Sequence, residues 1–272
     1  MMKRTYLMVV LGAVMLAACG DKAAESSAPA ASTPSAASKA QKTYRVGSEI
    51  SKPPMIMMGV DNPDKGFEWD LLQAIAEKQG FAIEYNPETW ERLLERLAKN
   101  DTDLIIGQIT ITEERKQKMD FSNPVVTYQT GLMVQPELAE AKQFSDLNGK
   151  RVTIRSNTVY EKLVPVFSAG DGSNIIYMQT AWEQLKSLAQ KESDAMTGAS
   201  TTLEYYQAKY PENKFHILYD SSYGSSQYGW AVNKGNTELL EQINQGLEKV
   251  RADGTYNNLY KKYWPNAPIP TN

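Results

Sequence analysis

Two hydrophobic periods alternate along the chain downstream of residue 42, and this alternation constrains the fold more than any other feature. Thr43 to Gly47 alternates polar and apolar residues with the period of a strand. Phe67 to Gln79 carries Leu71, Leu72, Ile75 and Ala76 at helical spacing, and Gly80 stands where a helix stop belongs. Phe81 to Tyr85 reads as a strand, Trp90, Leu93, Leu94 and Leu97 form one helical stripe, and Asp103 to Ile106 is an apolar strand. A strand-helix-strand-helix-strand order of this kind implies a largely parallel sheet covered by helices.

The pattern then repeats. Arg151 to Ile154 predicts a strand, Val159 to Val166 a helix and Asn174 to Tyr177 a strand. Thr180 is placed to cap a helix from Ala181 to Gln190, and Glu183 completes a capping box. A strand from Ala195 to Thr197 and a helix from Thr201 to Lys209 finish a second α/β unit. Between the units, Val125 to Val134 and Gln227 to Val232 read as extended segments able to cross side by side. The closing helices, Thr237 to Ala252 and Tyr256 to Tyr263, are separated by the stop and restart residues Asp253-Gly254-Thr255 and would return to the first unit.

The first 18 residues combine Lys3 and Arg4, an apolar run from Tyr6 to Leu16 and a small-residue ending, the three parts of a secretory signal. The ending Leu16-Ala17-Ala18-Cys19 resembles a bacterial lipobox, which implies a lipid on Cys19, the single cysteine. One thiol excludes an intrachain disulfide and a cysteine zinc site. Residues 19–42 are rich in Ala, Ser and Pro, lack large apolar side chains between Asp21 and Gln41, and read as a flexible tether. Removing residues 1–18 takes the formal charge from −3 to −5, and this acidic, mixed surface argues against nucleic acid. The single His216 cannot build a zinc site or a histidine relay alone. Expected partners are a small ligand and the membrane, with no metal or cofactor.

Four stretches carry a family resemblance: Gly66-Phe67-Glu68-Trp69-Asp70-Leu71, the run from Asp103 to Arg115, Met119-Asp120-Phe121-Ser122, and Asp253-Gly254-Thr255-Tyr256 with Lys261-Lys262-Tyr263-Trp264. Together they resemble the bacterial extracellular solute-binding proteins of family 3, the periplasmic amino-acid-binding components of ABC importers, in lipoprotein form. The resemblance implies an α/β, type II periplasmic-binding-protein fold: two lobes (43–130 with 229–272, and 131–228) joined by two hinge segments. It also implies a monomer that closes on one amino-acid-like molecule and delivers it to an ABC permease. The expected location is the cell envelope, periplasmic or extracytoplasmic, held at a membrane through Cys19.

What the resemblance implies for the site follows residue by residue. Arg115 falls where the family grips the ligand carboxylate, a task that suits a planar guanidinium fork. Gln108 and Thr110 follow the Asp103 to Ile106 strand, at the strand end where α/β sheets present ligand sites. Thr158 and Val159, in Arg155-Ser156-Asn157-Thr158-Val159, match a strand-to-helix turn whose amides meet an anion. Trp90 matches a ligand-facing aromatic, although its spacing equally suits the core. Glu49 and Arg155 are placed to read the ligand's polar end, and Glu49 could instead pair with Lys52. The family's usual acid for the ligand ammonium falls on Ala199. Two other readings stay open: a dehydratase-like enzyme on the same clamp, with Glu49 and Glu91 as its acids, and a surface lipoprotein for sensing or adhesion.

Overall fold

A computed structural model describes residues 41–59, 63–265 and 267–269; Cys19, the signal segment and the tether up to residue 40 lie outside the described residues. The first half runs β1 (Lys42–Glu49), β2 (Met57–Met58), β3 (Pro63–Lys65), α1 (Phe67–Gln79), β4 (Phe81–Glu88), α2 (Trp90–Ala98), β5 (Leu104–Ile105), α3 (Glu113–Lys116) and β6 (Met119–Phe121). Then follow β7 (Val126–Val134), β8 (Val152–Arg155), α4 (Val164–Phe167), β9 (Ile175–Met178), α5 (Ala181–Ala189), β10 (Ala195–Ala199), α6 (Ser200–Lys209) and β11 (His216–Tyr219). β12 (Ser225–Tyr228), β13 (Ala231–Asn233), α7 (Thr237–Ala252) and α8 (Thr255–Tyr263) complete the chain.

These elements build two sheets, one ordered β4-β1-β5-β13-β6 and the other β11-β7-β10-β8-β9. β1 is parallel to β4 and β5, and β8 is parallel to β9 and β10, whereas β13 and β7 run antiparallel to their neighbours. The chain passes between the sheets twice. Val126 to Gln129 of β7 pair with β12, and Gly131 to Val134 continue into the second sheet beside β10 and β11. β7 therefore runs unbroken through position 130, and the second crossing is interrupted at Gly229 and Trp230 before β13 joins the first sheet. A small hairpin pairs β2 with β3.

Each sheet buries apolar residues on both faces, as helix-covered sheets do. In the first, Leu104 and Ile106 face the large cluster under α1, α7 and α8, while Ile105 faces Trp90, Leu93 and Leu97 of α2. In the second, Leu132 and Val134 point one way and Met133 the other, the period-two alternation of a strand. The closing helices pack on α1, where Phe67 meets Tyr256 and Trp264 edge-on at ring distances of 5.5 and 5.3 Å. Both sheets also share one device. Arg45 donates its amide and guanidinium to Asp103, and Arg151 does the same to Asp194, tying the start of one strand to the start of the next.

Helix ends follow local chemistry. Gly80 closes α1 in the left-handed region (φ 72°), and Thr180 with Glu183 forms the capping box of α5. The helix expected over Val159 to Val166 is instead a 3-10 turn, Val159–Leu163, followed by α4. Pro165 explains this, because it lacks the N–H that an α-helix would need at that position.

Gly66 precedes α1 with φ 134°, and a Cβ there would sit 2.3 Å from Met55 O and 2.9 Å from Ile56 Cα. Both are backbone atoms that cannot rotate away. Gly66→Ala is expected to lose about 2 kcal/mol of stability, and an unchanged urea midpoint would contradict this.

Candidate functional site

The site lies where the ends of β1, β5 and α2 face the ends of β8, β10 and α5 across the cleft. Gly107 and Gln108, just after β5, both adopt positive φ (99° and 63°), which turns their amides back toward α1. Glu68 holds them there: its Oε2 accepts from Gly107 N at 2.7 Å and its Oε1 from Gln108 N at 2.8 Å. Trp230 Nε1 donates to the same carboxylate at 2.7 Å. Burial pushes the Glu68 carboxyl up, and these three donors pull it back only in part.

A cavity of about 40 Å³ opens between the lobes, lined by Glu49, Trp90, Gln108, Thr110, Arg115, Arg155, Thr158 and Val159, the residues proposed from the sequence. Lys52, Tyr160 and Tyr228 complete its wall. One water occupies about 10–15 Å³ of such space, so the cavity holds a few waters. It shares Glu49, Lys52, Trp90, Gln108 and Arg155 with a chamber of about 650 Å³ that runs on toward Trp182, Tyr206 and Tyr210.

Arg115 Nη1 donates to the carbonyl of Thr110 at 2.9 Å, and its guanidinium carbon lies 4.9 Å from the Trp90 ring centre. It forms no ion pair among the described residues. Burial pushes the guanidinium down, against weaker opposing effects of Tyr128 and Glu114, but an arginine remains charged. Trp90 serves both of its sequence readings. It packs with Leu93 and Leu97 in the core, and its ring also receives Lys52 Nζ at 5.7 Å. The chain's own cations thus meet a ring that the resemblance offered to a ligand.

The two lobes touch around the cavity. Arg155 Nη2 donates to Glu49 Oε1 at 2.8 Å, Trp90 Nε1 to the carbonyl of Asn157 at 3.0 Å, and Gln108 Nε2 to Thr202 Oγ1 at 2.8 Å. Glu91, the second acid of the dehydratase-like alternative, is exposed and accepts from Asn157 Nδ2 at 3.1 Å. Lys52 Nζ sits 2.7 Å from Glu49 Oε2 and donates to the carbonyl of Gly107 at 3.0 Å. That ion pair is short, yet its angle leaves Oε2 without a hydrogen bond. Both alternatives for Glu49 therefore coexist, with one carboxylate between two cations.

Burial alone would raise the Glu49 carboxyl, but Lys52 and Arg155 outweigh it and hold the group below the usual glutamate range. A depressed carboxyl contributes stability that is complete above its unfolded value, about pH 4.3, and that is lost as pH falls through the folded value. Because the Arg155 contact spans the lobes, ligand affinity is expected to fall as pH drops through the depressed value of the folded carboxyl, below the unfolded glutamate range. Glu49→Gln should flatten that part of a titration-calorimetry profile, and an unaltered acid limb would contradict the assignment.

Sequence reasoning missed Tyr160 and Tyr228, which line the cavity, and Tyr128, which packs on them. Tyr128 OH lies 2.9 Å from Thr110 Oγ1, stacks on Tyr228 at 4.1 Å and neighbours Tyr160. Burial pushes all three phenols up, so they are neutral. They come from three separate segments, which no local pattern brings together. Ala199 ends β10 opposite Thr130, is buried in the cluster with Tyr128 and Tyr228, and does not line the cavity. Thr158 caps its turn, its Oγ1 accepting from the amide of Tyr160 at 3.4 Å while donating to the carbonyl of Arg155 at 2.8 Å. The turn is 3-10 and short, so its dipole is weaker than the helix expected there.

Comparison with known proteins agrees with this architecture. A probable histidine-binding protein of Neisseria gonorrhoeae is 28% identical over 253 residues, covering 93% of this chain and 91% of that protein. The ABC transporter glutamine-binding protein GlnH of Bacillus subtilis is 26% identical over 274 residues, covering 96% of each chain. A solved ancestral arginine-binding protein bound to glutamine superposes with a TM-score of 0.73 at 32% identity, over 82% of this chain and 98% of that one. The fold is that of the type II periplasmic binding proteins. The model for bacterial extracellular solute-binding proteins, family 3, matches residues 44–266. Because that match takes in both sheets, the crossing strands and every residue of the small cavity, the chain belongs to the bacterial extracellular solute-binding proteins, family 3.

Proposed function

We propose that this chain captures one small carboxylate between its lobes by hinge closure and passes it to an ABC-type permease, without transforming it. The observation that carries the reading is Arg115, a half-buried guanidinium on the inter-lobe cavity that forms no ion pair among the described residues. A carboxylate there would complete its donor fork. Contacts to both lobes at once favour the closed form over the open one. The relatives support this reading, since the names of the Neisseria and Bacillus proteins describe binding of an amino acid. The non-enzymatic part rests on Glu49, the one carboxylate among the described residues that lines the small cavity, which two cations hold ionised and so unsuited to donate a proton.

A lipid on Cys19 would keep the monomeric clamp close to its permease while the tether lets it turn. Incorporation of labelled palmitate, lost in Cys19→Ala, tests that anchor. For the binding site, thermal unfolding is followed against a panel of amino acids and related carboxylates. A ligand at a hundredfold excess over its Kd adds about 2.7 kcal/mol to stability and raises the Tm accordingly. The absence of any shift, together with no co-purifying solute by mass spectrometry, would overturn the reading.

A further inference from the structure

We propose that the ligand is a net-anionic carboxylate without an α-ammonium group, such as a 2-oxo or 2-hydroxy acid. This rests on the solute-binding reading above and specifies its substrate class. The charged groups lining the small cavity are Lys52, Arg115 and Arg155 against Glu49 alone. Behind the wall, the carboxylate of Glu68 is already engaged by the amides of Gly107 and Gln108 and by Trp230. Even with Glu68 counted as ionised, cations outnumber anions.

A zwitterion adds no net charge and would leave that excess buried, which is costly. A carboxylate without an ammonium neutralises Arg115 and adds no new cation beside Lys52 and Arg155. Several acceptors that an ammonium would seek already face cations of the chain itself. Each oxygen of Glu49 faces a cation, at 2.8 Å from Arg155 and 2.7 Å from Lys52. The carbonyls of Gly107 and Thr110 take Lys52 Nζ and Arg115 Nη1. The Trp90 ring receives those same two cations, and the floor is neutral phenol, Tyr160 and Tyr228. A carbonyl or hydroxyl oxygen beside the carboxylate suits these donors, because it accepts where an ammonium would repel. The cation excess is confined to the small cavity, because the adjoining chamber of about 650 Å³, which has room for the ligand's body, adds Glu88 and Glu91 against Lys209.

The test is titration calorimetry on the unmodified mature chain with matched pairs: 2-oxoglutarate and L-glutamate, 4-methyl-2-oxopentanoate and L-leucine, phenylpyruvate and L-phenylalanine, with L-arginine and L-glutamine alongside. The expected result is that at least one oxo acid binds at least tenfold more tightly than its amino-acid partner and than either of the other two. In Lys52→Met that preference shrinks at least fivefold. An amino acid that binds as tightly as, or more tightly than, every oxo acid overturns the inference and leaves the solute-binding reading standing. Failure of every compound to bind overturns the inference together with that reading.

Discussion

Arg115→Ala is expected to weaken ligand binding by about 3 kcal/mol, on the order of a hundredfold in Kd, while leaving the fold intact. The two effects separate because of what Arg115 touches. Among the described residues its side chain makes one hydrogen bond, to the carbonyl of Thr110, and one close face contact, with Trp90. A charge-assisted hydrogen bond and a half-buried cation–π contact are each worth about 1–2 kcal/mol, and removing Arg115 also relieves the cost of burying its charge, so stability without ligand should fall by about 1–2 kcal/mol. A carboxylate facing the fork would lose two charge-assisted bonds at once. Arg115→Lys is expected to recover only part of the affinity, because an ammonium is a point charge that cannot pair in two parallel bonds. Calorimetry for affinity and urea unfolding for stability check the two halves, and equal losses in both would make Arg115 a structural residue.

Glu68→Ala should cost about 4 kcal/mol of stability, more than Gly66→Ala or Arg115→Ala. The side chain is fully buried, and its removal would orphan the amides of Gly107 and Gln108 together with the Trp230 indole. The loop after β5 depends on those bonds, since Gln108 holds a positive φ that a residue with a side chain rarely adopts. Binding is therefore expected to fail along with stability, as Gln108 and Thr110 lose their placement. Glu68→Gln should restore a fraction only, because its amide nitrogen would confront an N–H donor. Trp230→Phe removes a single donor and should cost about 1 kcal/mol from that bond. Denaturant unfolding of the three variants checks the order, and a Glu68→Ala protein as stable as the parent would refute the role.

Long amphipathic helices were the most legible elements in the sequence. α1 and α7 span the residues their periodicity indicates, because each presents one apolar stripe and ends at residues suited to stop a helix, Gly80 and Asp253-Gly254. Short elements were less so. β5 has two residues, and the 3-10 turn at Val159 depends on Pro165 several positions later. At the site, the cavity gathers each ligand-binding residue suggested by the resemblance, from Glu49 to Val159. Its floor and its support were not visible. Tyr128, Tyr160 and Tyr228 meet through tertiary packing of segments far apart in sequence, and Glu68 carried no role of its own within the family-like stretch Gly66 to Leu71. Its one signal is position, since residues 68, 71, 72 and 75 share the buried face of α1.

Closure around one carboxylate is the central event of the proposed function, and small-angle X-ray scattering measures closure directly. The mature chain is first freed of bound solute by denaturation and refolding, then measured with and without the carboxylate that calorimetry identifies. The radius of gyration should fall when that ligand saturates the parent chain and stay unchanged in Arg115→Ala at the same concentration. A radius that does not change in the parent chain at proven saturation would contradict hinge closure as the way this protein holds its ligand.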